Sequence, residues 1–120
     1  MGRILLLSED QDQLELYQAI FKHEGYACVI ATTPQDAFHY LQTSQINVVF
    51  IIGLYHQGFK GLAFYADLKS DPELGQIPVI LYNARIMSDL QINPTDYGDT
   101  LLSMPVDVRA LIDRVRDLIV

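Results

Sequence analysis

Two neighbouring carboxylates, Glu9 and Asp10, stand directly after the first apolar run of the chain. A hard divalent cation such as Mg²⁺ takes one or two carboxylates together with phosphate oxygens and water, which makes the pair a weak metal candidate. Acids in that place also cap helix N-termini and offset the positive end of the helix dipole, and this is the favoured reading. His23 and His39 fall on helical stretches without metal spacing, and His56 reads as a solvated loop imidazole in preference to a ligand or phosphoryl acceptor. Nucleophile motifs of the G-x-S-x-G type and paired Cys/His metal motifs are absent. The lone Cys28 has no intrachain partner and, inside an apolar run, reads as a buried thiol of a reducing cytoplasm.

These groups are carried by alternating elements. Arg3–Leu7, Ala27–Ala31, Asn47–Ile52, Pro78–Tyr82 and Thr100–Ser103 are apolar runs of strand length, as found where helices cover both faces of a parallel sheet. Between the first two, Ser8 to Gln13 supplies caps, and Leu14, Tyr17, Ile20 and Phe21 recur at helical spacing until Gly25. Thr32-Thr33-Pro34 opens a second helix with Ala37, Phe38 and Leu41 inward. A third helix spans Gly61 to Lys69, with Leu62, Tyr65 and Leu68 on one face. Ile86, Met87 and Leu90 suggest a short fourth helix, limited by Pro94 and Gly98. Val108, Leu111, Ile112, Val115, Leu118 and Ile119 form the clearest amphipathic pattern, a final helix. The alternation predicts one α/β domain over residues 1–120, a doubly wound five-stranded parallel sheet with helices on both faces.

Composition narrows the function. Half of the 120 residues are apolar and 19% are charged, as in ordinary globular domains. The formal charge of −7 repels phosphate backbones and no basic cluster offsets it, so direct nucleic-acid binding is not expected. No apolar run approaches the ~20 residues that span a bilayer, and no secretory signal precedes the first strand. A cytoplasmic domain without membrane contact is the expectation.

In an open α/β sheet, ligands bind beyond the carboxyl ends of the strands near the switch in strand order. That edge holds Ser8, Glu9, Asp10, Gly53, Asn83 and Met104. Tyr55, Phe59, Tyr82 and Tyr97 would crowd the same edge, filling space in preference to lining a pocket for a planar ligand. A flavodoxin-like cofactor role finds no Gly/Thr-rich phosphate loop after the first strand. No cofactor is expected.

Four stretches, ILLLSED, NVVFIIGLYHQGFKGL, IPVILYNA and LLSMP, make the chain resemble the response-regulator receiver domains of two-component signalling over essentially its whole length. The resemblance implies a flavodoxin-like, receiver-type fold with strand order 2-1-3-4-5. Receivers place two acids for Mg²⁺ after the first strand, a phosphoacceptor Asp after the third, a hydroxyl residue after the fourth and a Lys before a Pro after the fifth. Carried across, the acids become Ser8 and Glu9, the acceptor becomes Gly53, the hydroxyl becomes Asn83 and the Lys becomes Met104. The aromatic expected three places before that Lys is Leu101, whereas Gly61, Pro78 and Pro105 are kept.

A slip in register does not rescue the acceptor, because no Asp or Glu occurs from Ala37 to Ala66. Capturing a phosphoryl group needs a nucleophilic oxygen, and glycine offers only backbone. Met104 also lacks the charge that a Lys brings to a phosphoryl oxygen, a bond of about 1.5–3 kcal/mol. The expectation is a degenerate site without catalysis. Such a pseudo-receiver is a phosphorylation-independent interaction module whose partner is a signalling protein, either a histidine kinase or an output domain, or a second copy in a homodimer. A working phosphoacceptor and a sensor of a small planar ligand are the alternatives. Because receivers commonly dimerise or dock through the fourth-helix region, fifth strand and last helix, the resemblance implies a surface including Arg85, Asp89, Arg109, Asp113 and Arg116.

Overall fold

The computed structural model describes residues 2–52, 61–82, 99–102 and 107–119. Strand β1 (Arg3–Leu7) leads to helix α1 (Gln11–His23), followed by β2 (Ala27–Ala31), α2 (Pro34–Thr43) and β3 (Val48–Ile52). Helix α3 (Gly61–Ser70) and a single 3-10 turn (Leu74–Gln76) precede β4 (Val79–Tyr82), and β5 (Thr100–Leu102) precedes α4 (Val108–Ile119). The strands lie in the order β2-β1-β3-β4-β5, and every pairing is parallel.

The period of two along each strand divides the core between the two faces of the sheet. Leu5, Leu7, Val49, Ile51, Val79 and Leu81 point to the face covered by α2 and α3, where Ala37, Leu41, Phe64, Tyr65 and Leu68 are buried. Ile4, Leu6, Val48, Phe50, Ile52 and Ile80 point to the other face, covered by Leu14, Tyr17 and Phe21 of α1 and by Leu111 and Val115 of α4. Phe50 anchors that second layer. Its ring meets Tyr17 and Phe21 edge-on, with centroids 5.2 and 5.9 Å apart, an arrangement that adds about 0.5–1.5 kcal/mol per pair beyond burial.

Local chemistry sets the ends of the helices. Thr33 caps α2 by accepting from the Asp36 N–H at 3.1 Å, with Pro34 in the first turn. Helix α1 closes where Gly25 takes a φ of 92°, a region that costs a side chain dearly. The Gly25 N–H then donates to the Lys22 carbonyl at 3.0 Å, and the Tyr26 N–H to that of Phe21 at 3.0 Å, satisfying two carbonyls left open at the helix end. Beyond α3, the Asp71 carboxylate accepts from the Glu73 and Leu74 N–H groups, both at 2.9 Å, and so starts the 3-10 turn.

Two expectations need correction. Cys28 is half-buried, because β2 is an edge strand with one neighbouring strand. Val108, assigned to the inner face of the last helix, is 40% exposed; the burial of α4 is carried by Leu111, Ile112 and Val115. The fourth helix expected around Ile86 to Leu90 lies outside the described residues.

Candidate functional site

The sheet register gathers the carboxyl ends of the three central strands. Leu7 of β1 pairs with Ile51 of β3, and Ile52 pairs with Tyr82 of β4. Ser8 follows β1, and Gly53 and Asn83 are the next residues in the chain after β3 and β4. Gly53, Asn83 and Met104 themselves lie outside the described residues, as do Tyr55, His56, Phe59, Tyr97, Arg85 and Asp89. For Tyr82 the described part is the backbone, as part of β4.

Ser8 is buried, and its N–H donates to the Ala31 carbonyl at 3.3 Å, extending the pairing of β1 with β2 by one bond. Its Oγ accepts from the Asp10 N–H at 3.1 Å. The hydroxyl is thus turned to the turn that follows it. Asp10 is the N-cap of α1: Oδ1 accepts from the Asp12 N–H at 3.0 Å and the Gln13 N–H at 3.3 Å. Its backbone carbonyl takes the first helical bond, from Leu14. Glu9 is exposed. Of the two acids weighed as metal ligands, Asp10 therefore has one oxygen committed to the helix start, as the capping reading expects. Among the described residues, no three His, Cys, Asp or Glu side chains come together as a metal site. His23 and His39 are both exposed on their helices.

The charged residues assigned to a docking surface divide in two. Arg109, Asp113 and Arg116 are exposed on α4. Arg116 reaches Asp113 at 3.4 Å on its own helix and Glu24 of α1 at 3.6 Å, so its guanidinium leans toward α1. Exposed pairs of this kind contribute little to stability.

At the opposite, amino-terminal edge of β4 and β5 the structure brings together Lys69 and Asp99, to which the sequence assigns no role, and Tyr65, expected there only as part of the inward face of α3. Lys69 and Tyr65 of α3 meet Asp99, the residue before β5, and the Asp99 carboxylate also accepts from the Val79 N–H that begins β4. The available signal was the spacing of Tyr65 and Lys69, one helical turn apart and beside the inward Leu68.

Comparison with known proteins gives concordant relatives, and no family model matches the chain. The sequence is 32% identical over 114 residues to Protein Rrf1 of Nitratidesulfovibrio vulgaris (strain Hildenborough), covering 94% of this chain and 81% of that protein. It is 30% identical over 118 residues to the Uncharacterized transcriptional regulatory protein YbdJ of Bacillus subtilis, and 25% identical over 117 residues to the Heme response regulator HssR of Staphylococcus saprophyticus. It covers 98% and 97% of itself in those two matches but spans half the length of each relative. Among solved structures, the receiver domain of a signal transduction histidine kinase from Syntrophus aciditrophicus superposes with a TM-score of 0.83 at 22% identity, over 99% of this chain and 90% of that one. A CheY-like response regulator receiver domain from Methylobacillus flagellatus gives 0.80 at 20% identity, over 98% of both chains.

Proposed function

The chain belongs to the response-regulator receiver domain family, and we propose that within it this protein is a pseudo-receiver, a signalling module that works by binding protein without accepting a phosphoryl group. The observation that carries the reading is the stretch from Ala37 to Ala66, which holds no Asp and no Glu. Strand β3 and the residues between it and α3 fall inside it, so the edge at Ile52 receives no carboxylate from its own chain segment. Without a nucleophilic oxygen there is no acyl phosphate to form.

The neighbouring groups support the same conclusion. Ser8 replaces one of the two acids of the family pattern, and Asp10 holds the first turn of α1 with its carboxylate. A ligand shifts a two-state equilibrium only through its differential affinity for the two states. Where the phosphoryl group has no attachment point, the input must come from a bound protein: a histidine kinase, an output domain or another copy of the chain.

The test is direct. The purified protein is incubated with Mg²⁺ and acetyl phosphate, or with a phosphorylated histidine kinase, and its intact mass is measured before and after hydroxylamine. The unmodified mass is expected throughout. A hydroxylamine-sensitive phosphoryl adduct would replace this reading with that of a working phosphoacceptor.

A further inference from the structure

Strand β2 is an edge of the sheet, and among the described residues nothing pairs with its outer side. The Ala27 N–H donates to the Gly2 carbonyl at 3.1 Å, and the Ala31 carbonyl accepts from the Ser8 N–H at 3.3 Å, so Ala27, Val29 and Ala31 face β1. In a ladder of this kind the residues between them turn both backbone groups the other way. The outward row is therefore the N–H and C=O of Cys28 and Ile30, spaced for an extended chain. Folded proteins commonly blunt such an edge with a charge, a proline or a bulge. The sequence ACVIA, in unbroken register with β1, has none of these, and its middle three residues are only half-buried.

The two flanks of the edge differ. Cys28 and Ile30 belong to the face covered by α1, and there a groove of about 220 Å³ is lined by Gln18, Lys22, Tyr26, Ala27 and Cys28. Its one charge is the exposed Lys22. The residues three and four places before Lys22 are Ala19 and Gln18, so its helix offers no countercharge, and no ion pair reaches it among the described residues. Glu24 is turned to Arg116. Glu15 shares this side of α1 but stands seven residues before Lys22, roughly 10 Å along the helix toward the Ile30 end of the strand. On the other face Val29 stands with the partly buried Phe38 and Tyr40 of α2.

From this geometry we infer that the β2 edge is a docking site for an extended segment of a partner protein, which pairs with Cys28 and Ile30 and sets an acidic side chain against Lys22. Strand addition draws affinity from main-chain bonds and selectivity from alternate side chains. Successive side chains of a strand point to opposite faces, so the segment that fits alternates. Its apolar residues meet Val29, Phe38 and Tyr40, and its polar residues meet α1, with the acid at the Cys28 end. The β2 edge of a second copy carries no acid and brings a formal charge of −7 against another −7. The inference rests on the pseudo-receiver reading, to which it adds the chemistry of the bound protein.

A random heptapeptide library displayed on phage and panned against the intact chain tests it. Enriched peptides are expected to alternate apolar and polar residues, with an acid among the polar ones. The consensus peptide, labelled and titrated by fluorescence anisotropy, should bind and protect the Cys28 and Ile30 amides from hydrogen exchange. Cys28→Pro removes an outward donor and keeps the bonds to β1, a change that an edge strand tolerates; it should weaken binding by roughly tenfold. N-methylation of alternate residues of the peptide blocks the same bonds without touching the fold, and should abolish binding in one register and spare it in the other. Lys22→Glu should shift the preference from acidic to basic peptides and leave the alternation. No enriched peptide, protection confined to other amides, indifference to both backbone blocks, or an acid preference unchanged in Lys22→Glu would overturn the inference. So would a dimer of the chain alone, seen by sedimentation velocity and lost in Cys28→Pro, which would give the edge to a second copy. Phosphorylation of the chain is read separately by intact mass and would sink the pseudo-receiver reading alone.

Discussion

Lys69 Nζ lies 2.9 Å from Asp99 Oδ2, and the two side chains are 2% and 1% exposed. A buried ion pair is tolerable when its remaining donors and acceptors are also satisfied. Here Lys69 also donates to the Gly75 carbonyl at 3.0 Å and the Ile77 carbonyl at 3.1 Å. Asp99 accepts from the Tyr65 hydroxyl at 2.6 Å and the Val79 N–H at 2.9 Å. One carboxylate thus joins the end of α3 to the starts of β4 and β5.

Removing one partner should therefore be costly. Asp99→Ala removes the countercharge of the buried Lys69 ammonium, which keeps the Gly75 and Ile77 carbonyls, together with an acceptor of the Tyr65 hydroxyl and of the Val79 N–H, and a loss of about 3–5 kcal/mol is expected. Lys69→Met leaves the buried carboxylate with Tyr65 and Val79 as donors but without a countercharge, so a loss of the same order is expected. Urea unfolding of both variants measures the two losses. Equal stabilities for wild type and Asp99→Ala would show that the network contributes nothing.

Asp10 should behave as a cap and not as a metal ligand. Asp10→Ala is expected to cost about 1 kcal/mol, whereas Asp10→Asn, whose side-chain oxygen caps equally well, should cost little. Added Mg²⁺ should leave the melting temperature of the wild type unchanged. Magnesium-dependent stabilisation that disappears in Glu9→Gln would instead reveal a working ion site.

Cys28 titrates on the alkaline side. Partial burial pushes its thiol from 9.0 up to about 11, because the thiolate is poorly solvated there. The folded value exceeds the unfolded one, so this contribution to stability is complete below pH 9 and is lost as the pH rises toward 11. Alkylation by iodoacetamide should be slow at neutral pH, rise by about tenfold per pH unit with the thiolate fraction and level off only near pH 11, and Cys28→Ala should remove part of the alkaline destabilisation. Rapid alkylation at neutral pH in the folded state would contradict the shift.

Much of this fold can be read from patterning, and the failures have physical causes. Val48–Ile52 is apolar at every position and is buried on both faces, so its run announces a central strand without ambiguity. Thr33-Pro34 and Gly25 mark helix ends because each supplies a backbone geometry or a bond that few residues can. Val108 and Cys28 were misjudged because periodicity gives the direction of a side chain and not the extent of what covers it. Val108 is the first residue of its helix, and Cys28 sits on an edge strand. The Lys69–Asp99 pair is separated by 30 residues in the chain, and nothing local to either residue names the other. At the candidate site, what is legible is the stretch from Ala37 to Ala66 without Asp or Glu, which is longer than any plausible error in register.

If the site is degenerate by substitution on an intact scaffold, restoring the lost oxygens should restore chemistry. Leu7, Ile51 and Leu81 stand in register, so β1, β3 and β4 end at a common edge of the sheet. Ser8 is buried there, and its Oγ already accepts from the Asp10 N–H at 3.1 Å, a bond that a carboxylate could take over. Gly53→Asp alone supplies a nucleophile but leaves Glu9 to hold Mg²⁺ nearly unaided. With Ser8→Asp added, the ion gains a second acid beside the acceptor, in line with its preference for carboxylates together with phosphate oxygens. Slow, magnesium-dependent modification by acetyl phosphate is therefore expected in Ser8→Asp/Gly53→Asp, weaker or absent in the single variant and absent in the wild type. Without a Lys at Met104 the adduct lacks a charge-assisted bond of about 1.5–3 kcal/mol, so adding Met104→Lys should raise the yield further. Intact mass with and without hydroxylamine follows the whole series. A triple variant that folds, binds Mg²⁺ and stays unmodified would mean that the edge departs from the receiver arrangement in its backbone as well as in its side chains.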